Sequence, residues 1–173
     1  MSIKIARPKA DEYTANYATY IDRIKTDDLA ETLKKGLEAL VEFVQAIPAE
    51  KLDYRYQEGK WTTKEILVHL MDAERIFAYR ALCFSRHDQT LLPGFDENEY
   101  VPWSNAAERT LESIMGEYTA LRRSTIEFYK NISGDMSQRW GIACGRQISV
   151  RALGYAIAGH ELHHMDVIRE KYL

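Results

Sequence analysis

Four long stretches of this chain repeat apolar residues at helical spacing, and the breaks between them hold residues that helices reject. Leu33, Leu37, Leu40, Val41 and Val44 line one side of a helix predicted from about Asp28 to Ile47, and Pro48 closes it. A shorter helix is expected before it, around Tyr13 to Ile24. The second long helix has a start signal: Thr62 can accept from backbone amides while Glu65, three residues on, reaches back, the capping-box pattern. It should run to about Ser85 and give way to an irregular segment from Arg86 to Trp103, broken by Pro93-Gly94 and Pro102. The third is expected from Ser104 or Asn105 to about Asn131, followed by a long connection containing Ser133-Gly134, Gly141 and Gly145. Ser149 is the expected N-cap of the fourth, which runs almost to Leu173. No strand-type alternation of useful length is evident. With no repeat, low-complexity tract or dividing linker in 173 residues, the expectation is one all-α domain over 1–173, a four-helix bundle with a short extra N-terminal helix.

Composition narrows the function classes. The net charge of −3 comes from 23 basic and 26 acidic side chains with no basic stripe, which argues against a nucleic-acid partner. Cys83 and Cys144 form no paired motif and read as packing residues that stay reduced. The N-terminus lacks the apolar run of a signal peptide, and no stretch approaches the ~20 apolar residues that span a bilayer. A cytoplasmic protein without a membrane partner is therefore expected.

Polar residues on apolar faces carry more information. At 100° per residue, Val150, Leu153, Gly154, Ile157, Met165 and Ile168 define the apolar arc of the last helix. His164 falls near the middle of that arc, with His160 and Glu161 on its flanks and His163 at its edge. On the second helix, His69 lies at the margin of an arc formed by Ile66, Leu70, Ala73, Phe77 and Phe84, with Ile76 and Arg80 on nearly the same line. Burying a neutral polar group without a partner costs roughly 2–7 kcal/mol, so these placements need an explanation. A lone histidine on such a face is ordinarily a hydrogen-bonded core residue. His160 and His164, however, are an i, i+4 pair on one face, and His69 on a second helix completes three neutral donors with a position left open. That is the ligand count of a catalytic zinc site. His163 is the rival ligand but points less well, and His87, in a polar run, reads as solvated.

His160-Glu161-Leu162-His163-His164 also matches H-E-x-x-H, the zinc-protease helix signature. Such proteases take a further ligand downstream, whereas only nine residues follow His164 here and position 170 is glutamate. The third donor would have to lie upstream, so peptidase activity is not the expectation.

The chain resembles the DinB-like (YfiT-like) superfamily, which includes bacillithiol transferases. The resemblance lies in Gly59-Lys60-Trp61-Thr62-Thr63-Lys64-Glu65-Ile66-Leu67-Val68-His69-Leu70 and Asp72-Ala73-Glu74-Arg75, then in Leu92-Pro93-Gly94-Phe95-Asp96. It ends in Ala158-Gly159-His160-Glu161-Leu162-His163-His164 and the tail Arg169-Glu170-Lys171-Tyr172-Leu173. The resemblance implies an up-down-down-up four-helix bundle, commonly a homodimer, with a divalent metal held by His69, His160 and His164. It also implies a low-molecular-weight thiol (bacillithiol- or mycothiol-type) S-transferase, or a metal-dependent isomerase or hydrolase, acting on a small-molecule substrate.

On this reading the metal lowers the pKa of a thiol cosubstrate, which attacks an electrophile. Glu161 is the expected nearby base or the group that orients an imidazole; the alternative is a carboxylate paired with a cation across the bundle. Arg80 would bind a carboxylate of the thiol cofactor, or else form a structural ion pair. Hydrolysis of an amide or ester at the same site is an alternative function. So is a non-catalytic stress-response protein whose metal is closed off by a fourth ligand such as Glu161 or Asp72. Zinc is expected on frequency alone, since imidazole suits nickel, copper and iron equally. The segment Arg86 to Trp103 is expected to form a pocket wall or to cover the bundle end, and an outward Tyr155 and Leu162 would mark a subunit contact.

Overall fold

Each of the four long helices begins at a side-chain oxygen that takes up a free backbone amide. In the computed structural model, which describes residues 4–173, Asp28 accepts from Glu31 at the head of α2 (Leu29–Gln45). Thr62 and Glu65 form the reciprocal capping box of α3 (Thr63–Ser85). Thr110 accepts from Ser113 ahead of α5 (Leu111–Lys130), and Ser149 from Ala152 ahead of α7 (Val150–Lys171). Around this frame lie α1 (Ala15–Ile21), α4 (Glu97–Tyr100), α6 (Gly134–Gln138), and a hairpin of β1 (Trp140–Ala143) and β2 (Arg146–Ser149).

Helix directions follow from which ends share a core. Leu29 and Leu33 of α2, Phe77 and Phe84 of α3, Ile126 and Tyr129 of α5, and Val150 and Leu153 of α7 pack together at one end. At the other end lie Leu40 and Val44, Ile66 and Met71, Ile114 and Tyr118, and Met165 and Ile168. The order is therefore up-down-down-up. Helices α2 and α3 each pack on both α5 and α7. Since α3 and α5 run the same way, the chain must return along the bundle between them, and residues 86–110 do so through α4 and short 3-10 turns.

Between the two cores lies a buried ionic layer to which all four long helices contribute. Arg122 of α5 is 1% exposed. Its Nε donates to both carboxylate oxygens of Glu74 on α3 at 3.0 Å. Its Nη1 lies 2.8 Å from Glu161 Oε2 on α7. Its Nη2 donates to the Tyr118 hydroxyl at 2.6 Å, and Tyr118 in turn donates to Glu161 Oε2. Helix α2 contributes Gly36: a β-carbon there would collide with Glu161 Oε1.

Several expectations need correction. The third long helix starts at Leu111, about six residues later than expected, because Asn105 is left-handed (φ 56°) and Ala106–Glu108 forms a 3-10 turn. The long connection before α7 contains a hairpin rather than coil. Its strands are only four residues each, and its two-residue turn, Cys144-Gly145, has φ of 53° and 70°, the left-handed pair that matches strand twist. Gly141 is required on its inner face, where any β-carbon would meet the Phe84 ring. Cys83 is buried as expected, whereas Cys144 is exposed at that turn. Tyr155 is fully buried: its hydroxyl donates to the carbonyls of Ile5 and Thr26, so the N-terminal segment covers a face of α7 that periodicity alone leaves open.

Removing one partner of a buried ion cluster leaves the others charged and unsolvated, at about 3–5 kcal/mol. Arg122→Met, which keeps the side-chain volume, should lower unfolding stability by that amount in urea denaturation. A loss below about 1 kcal/mol would show that the layer contributes little.

Candidate metal centre

Helices α3 and α7 run antiparallel in contact, and their facing stripes bring the three histidines together. His69 lies two turns into α3, while His160 and His164 stand one turn apart on α7. His160 Nε2 is 3.1 Å from His69 Nε2 and 3.0 Å from His164 Nε2, and one ring nitrogen from each residue lies within 4.8 Å of the others. The rings meet edge to face, with interplanar angles of 75° for His69–His160, 72° for His69–His164 and 88° for His160–His164. Nitrogen tips thus converge on one point.

The donor set fits a transition-metal ion. Zinc–nitrogen bonds of ~2.0–2.1 Å at tetrahedral angles hold donor atoms ~3.3 Å apart, close to the two measured separations. Three imidazole nitrogens facing one another satisfy each other poorly without a cation, because neutral imidazole has only one N–H to share between its two nitrogens. The rings are also in the protonation state a metal needs. Burial, reinforced by the neighbouring histidines, pushes His69 down to about 4 and His164 to about 3, and holds His160 well below its ordinary value.

Aromatic side chains wall the centre. Trp61, just ahead of α3, lies against the His69 ring at 4.7 Å between centroids, and Phe77 lies 6.3 Å from His160. Tyr20 of α1 stands edge-on to His160 at 5.0 Å and to His163 at 5.6 Å. That wall depends on Gly159: a β-carbon there would collide with the Tyr20 carbonyl, so glycine lets α1 settle directly on α7. His164 is the most accessible of the three and opens on a cavity of about 220 Å³ lined by Tyr56, Trp61, Asn98 and Tyr172.

The other expected site residues lie elsewhere. Glu161 is 1% exposed, and its carboxylate turns into the ionic layer with Arg122 and Tyr118, with no hydrogen bond to the three histidines. Burial raises its pKa, opposed by Arg122 and by the Tyr118 hydrogen bond. Arg80 is buried beside Phe77 and donates to the Pro93 carbonyl at 2.8 Å, fastening the segment after α3; among the described residues it has no carboxylate partner. His163 turns toward Arg23, Asp72 pairs loosely with Arg75, and His87 is exposed. Among the described residues, His69, His160 and His164 form the converging donor cluster, without Glu161 or Asp72.

Sequence reasoning missed Arg122, Glu74, Tyr118, Trp61 and Tyr20. Arg122 was within reach, since it falls at helical spacing with Ile114, Tyr118, Ile126 and Tyr129 on the buried face of α5. Tyr20 had no local signal, because its place follows from a glycine more than a hundred residues away.

Fold and site together define a helical bundle with a three-histidine cluster on one seam. The chain belongs to the DinB superfamily, whose sequence model matches residues 32–168. It is similar to a protein of Oceanobacillus iheyensis named as a candidate metal-dependent hydrolase, with 25% identity over 158 residues covering 86% of this chain and 87% of the relative. In structure it is similar to YfiT from Bacillus subtilis, described as a probable metal-dependent hydrolase with an unusual four-helix bundle topology. The TM-score is 0.71 at 15% identity, covering 95% of this chain and 93% of YfiT. Among the described residues, no helix is long and apolar enough to cross a membrane.

Overpacking a close helix contact costs about 1–3 kcal/mol. Gly159→Ala should therefore raise amide exchange in residues 15–21 about tenfold or more, with exchange of the four long helices unchanged. Unaltered exchange in that segment would show that α1 does not depend on this contact.

Proposed function

We propose that this chain is a metal-dependent enzyme in which His69, His160 and His164 hold one divalent ion and a nucleophile is activated at the remaining coordination position. The observation that carries the reading is the convergence of three neutral imidazole nitrogens at 3.0–3.1 Å on one seam. When bound, such an ion supplies Lewis acidity, bringing the pKa of water to about 7 and that of a thiol below neutral. Zinc is the first choice, and nickel suits the same donors.

The chain's own residues bind, exclude and position. Trp61, Tyr20 and Phe77 keep bulk water from the imidazoles and offer apolar surface to a substrate. The cavity beside His164 suits a small-molecule substrate, with the Asn98 amide and the Tyr56 hydroxyl as polar contacts. Glu161 serves by position: tied to Arg122 and Tyr118, it fixes the rotation of α7 and hence the aim of His160. Arg80 holds the segment after α3 against the bundle, which favours a structural role over binding a cosubstrate carboxylate.

The nucleophile separates two forms of this function. Water gives a hydrolase of amides or esters, the reading supported by the names of both relatives. A low-molecular-weight thiol gives an S-transferase, which the DinB-like resemblance also supports. The homodimer implied by that resemblance is retained, although Tyr155, being buried, is not part of its contact.

Protein purified without chelator or affinity tag should carry about one metal ion per chain. His69→Ala, His160→Ala and His164→Ala should each abolish it while leaving helix content unchanged, as read by elemental analysis and circular dichroism. Wild-type protein that neither carries nor takes up metal would overturn the reading. With loaded enzyme, turnover of ester substrates without thiol would establish the hydrolase, and turnover only with added thiol the transferase.

A further inference from the structure

A second cavity, of about 330 Å³, opens between α2 and α7 beside the segment 23–26. Ile24, Ala39, Ala158 and Leu162 form its apolar walls, and Gly36 and Glu161 lie at its floor. Gly36 has no side chain, and the space a β-carbon would fill is where Glu161 Oε1 stands. Oε2 of the same carboxylate carries both protein contacts, from Tyr118 and Arg122. Among the described residues nothing donates to Oε1. A carboxylate oxygen of a side chain only 1% exposed therefore faces the cavity with its lone pairs unfilled.

Charge decides what the oxygen can take. Glu74 and Glu161 face the single guanidinium of Arg122, and among the described residues no second cation lies within ion-pair distance of either carboxylate. Ionised together, the two carboxylates carry one negative charge more than Arg122 offsets, in a layer shielded from water. The rim cations do not reach it: Arg23 is paired with Asp166, Lys35 with Glu31, and Lys25 is exposed and makes no ion pair with Glu161. Buried carboxylates are stabilised by partners that bring both opposite charge and hydrogen bonds.

We propose that this cavity is a second binding site, for a small amphipathic cation that places a protonated amine on Glu161 Oε1 and an aliphatic body against Ala39, Ala158 and Leu162. The amine donates to Oε1 from the cavity side, and the aliphatic part lies along the apolar walls toward the exposed mouth at Ala39. The cavity's lining is separate from that of the metal centre, since none of His69, His160 and His164 lines it.

Calorimetric titration of the full-length protein with hexylammonium, 1-hexanol and hexanoate tests this directly. Hexylammonium should bind at least about tenfold more tightly than the other two. Glu161→Gln should abolish that preference, and His164→Ala should leave it intact. Ala39→Leu fills the mouth at an exposed position, leaves the ionic layer untouched, and should weaken hexylammonium binding about tenfold; it carries the test if Glu161→Gln does not fold. Equal affinity for hexanol, absence of binding at millimolar hexylammonium, or loss of binding in His164→Ala would each overturn the proposal, the last by placing the amine on the imidazole cluster.

Discussion

The guanidinium of Arg122 is the point on which the bundle turns. Its hydrogen bonds and ion pairs run to Glu74 on α3 and Glu161 on α7, with Tyr118 completing the set from its own helix. Apolar packing is non-directional, so two stacked cores could tolerate small rotations or slips of each helix. A buried ion cluster cannot: a slip of one residue would move a carboxylate about 100° around its helix and leave it unsolvated and unpaired. The layer sets the register of α3 and α7, and with it the aim of the three imidazoles on that seam. Gly36 belongs to the same constraint, since α2 can approach Glu161 only without a side chain there.

The histidine seam and the ionic layer share a turn of α7 but differ in chemistry. His160 and Glu161 are consecutive, yet one faces His69 and the other Arg122. Neutral rings with depressed pKa values gather on one side, and the carboxylates and guanidinium of the ionic layer on the other. This division lets a helix carry several ionisable groups near its middle without frustrating its packing. The aromatic shell of Trp61, Tyr20 and Phe77 keeps the imidazole side dry except toward His164.

Much of this was legible in the residues. Apolar periodicity fixed the existence of four long helices, and the caps at Thr62 and Ser149 located two starts to the residue. Face analysis alone assembled His69, His160 and His164, because helical spacing is local and two polar residues on one apolar stripe stand out. Where reading failed, the deciding contact was distant. Asn105 adopts a left-handed turn that periodicity cannot see, and the hairpin exists because Leu92 bridges Ala143 and Phe84 covers Gly141. Tyr155 looked outward until residues near Ile5 and Thr26 covered it. For Glu161 the residues left two roles open, a base beside the histidines or a carboxylate paired with a cation across the bundle; that cation, Arg122, lay on another helix.

The up-down-down-up order also bears on how quickly such a chain can find its structure. In a simple up-and-down bundle each helix packs on the next, so contacts close short loops. Here α2 and α3 follow one another in the chain, yet each packs chiefly on α5 and α7. His69 and His160, in contact across the seam, are separated by 91 positions. Loop-closure entropy must then be met before these pairings stabilise anything, and folding rates fall as contacts become more distant in sequence. The helices can form on their own timescale, while docking of α7, the fourth of the long helices along the chain, completes both cores and the ionic layer together.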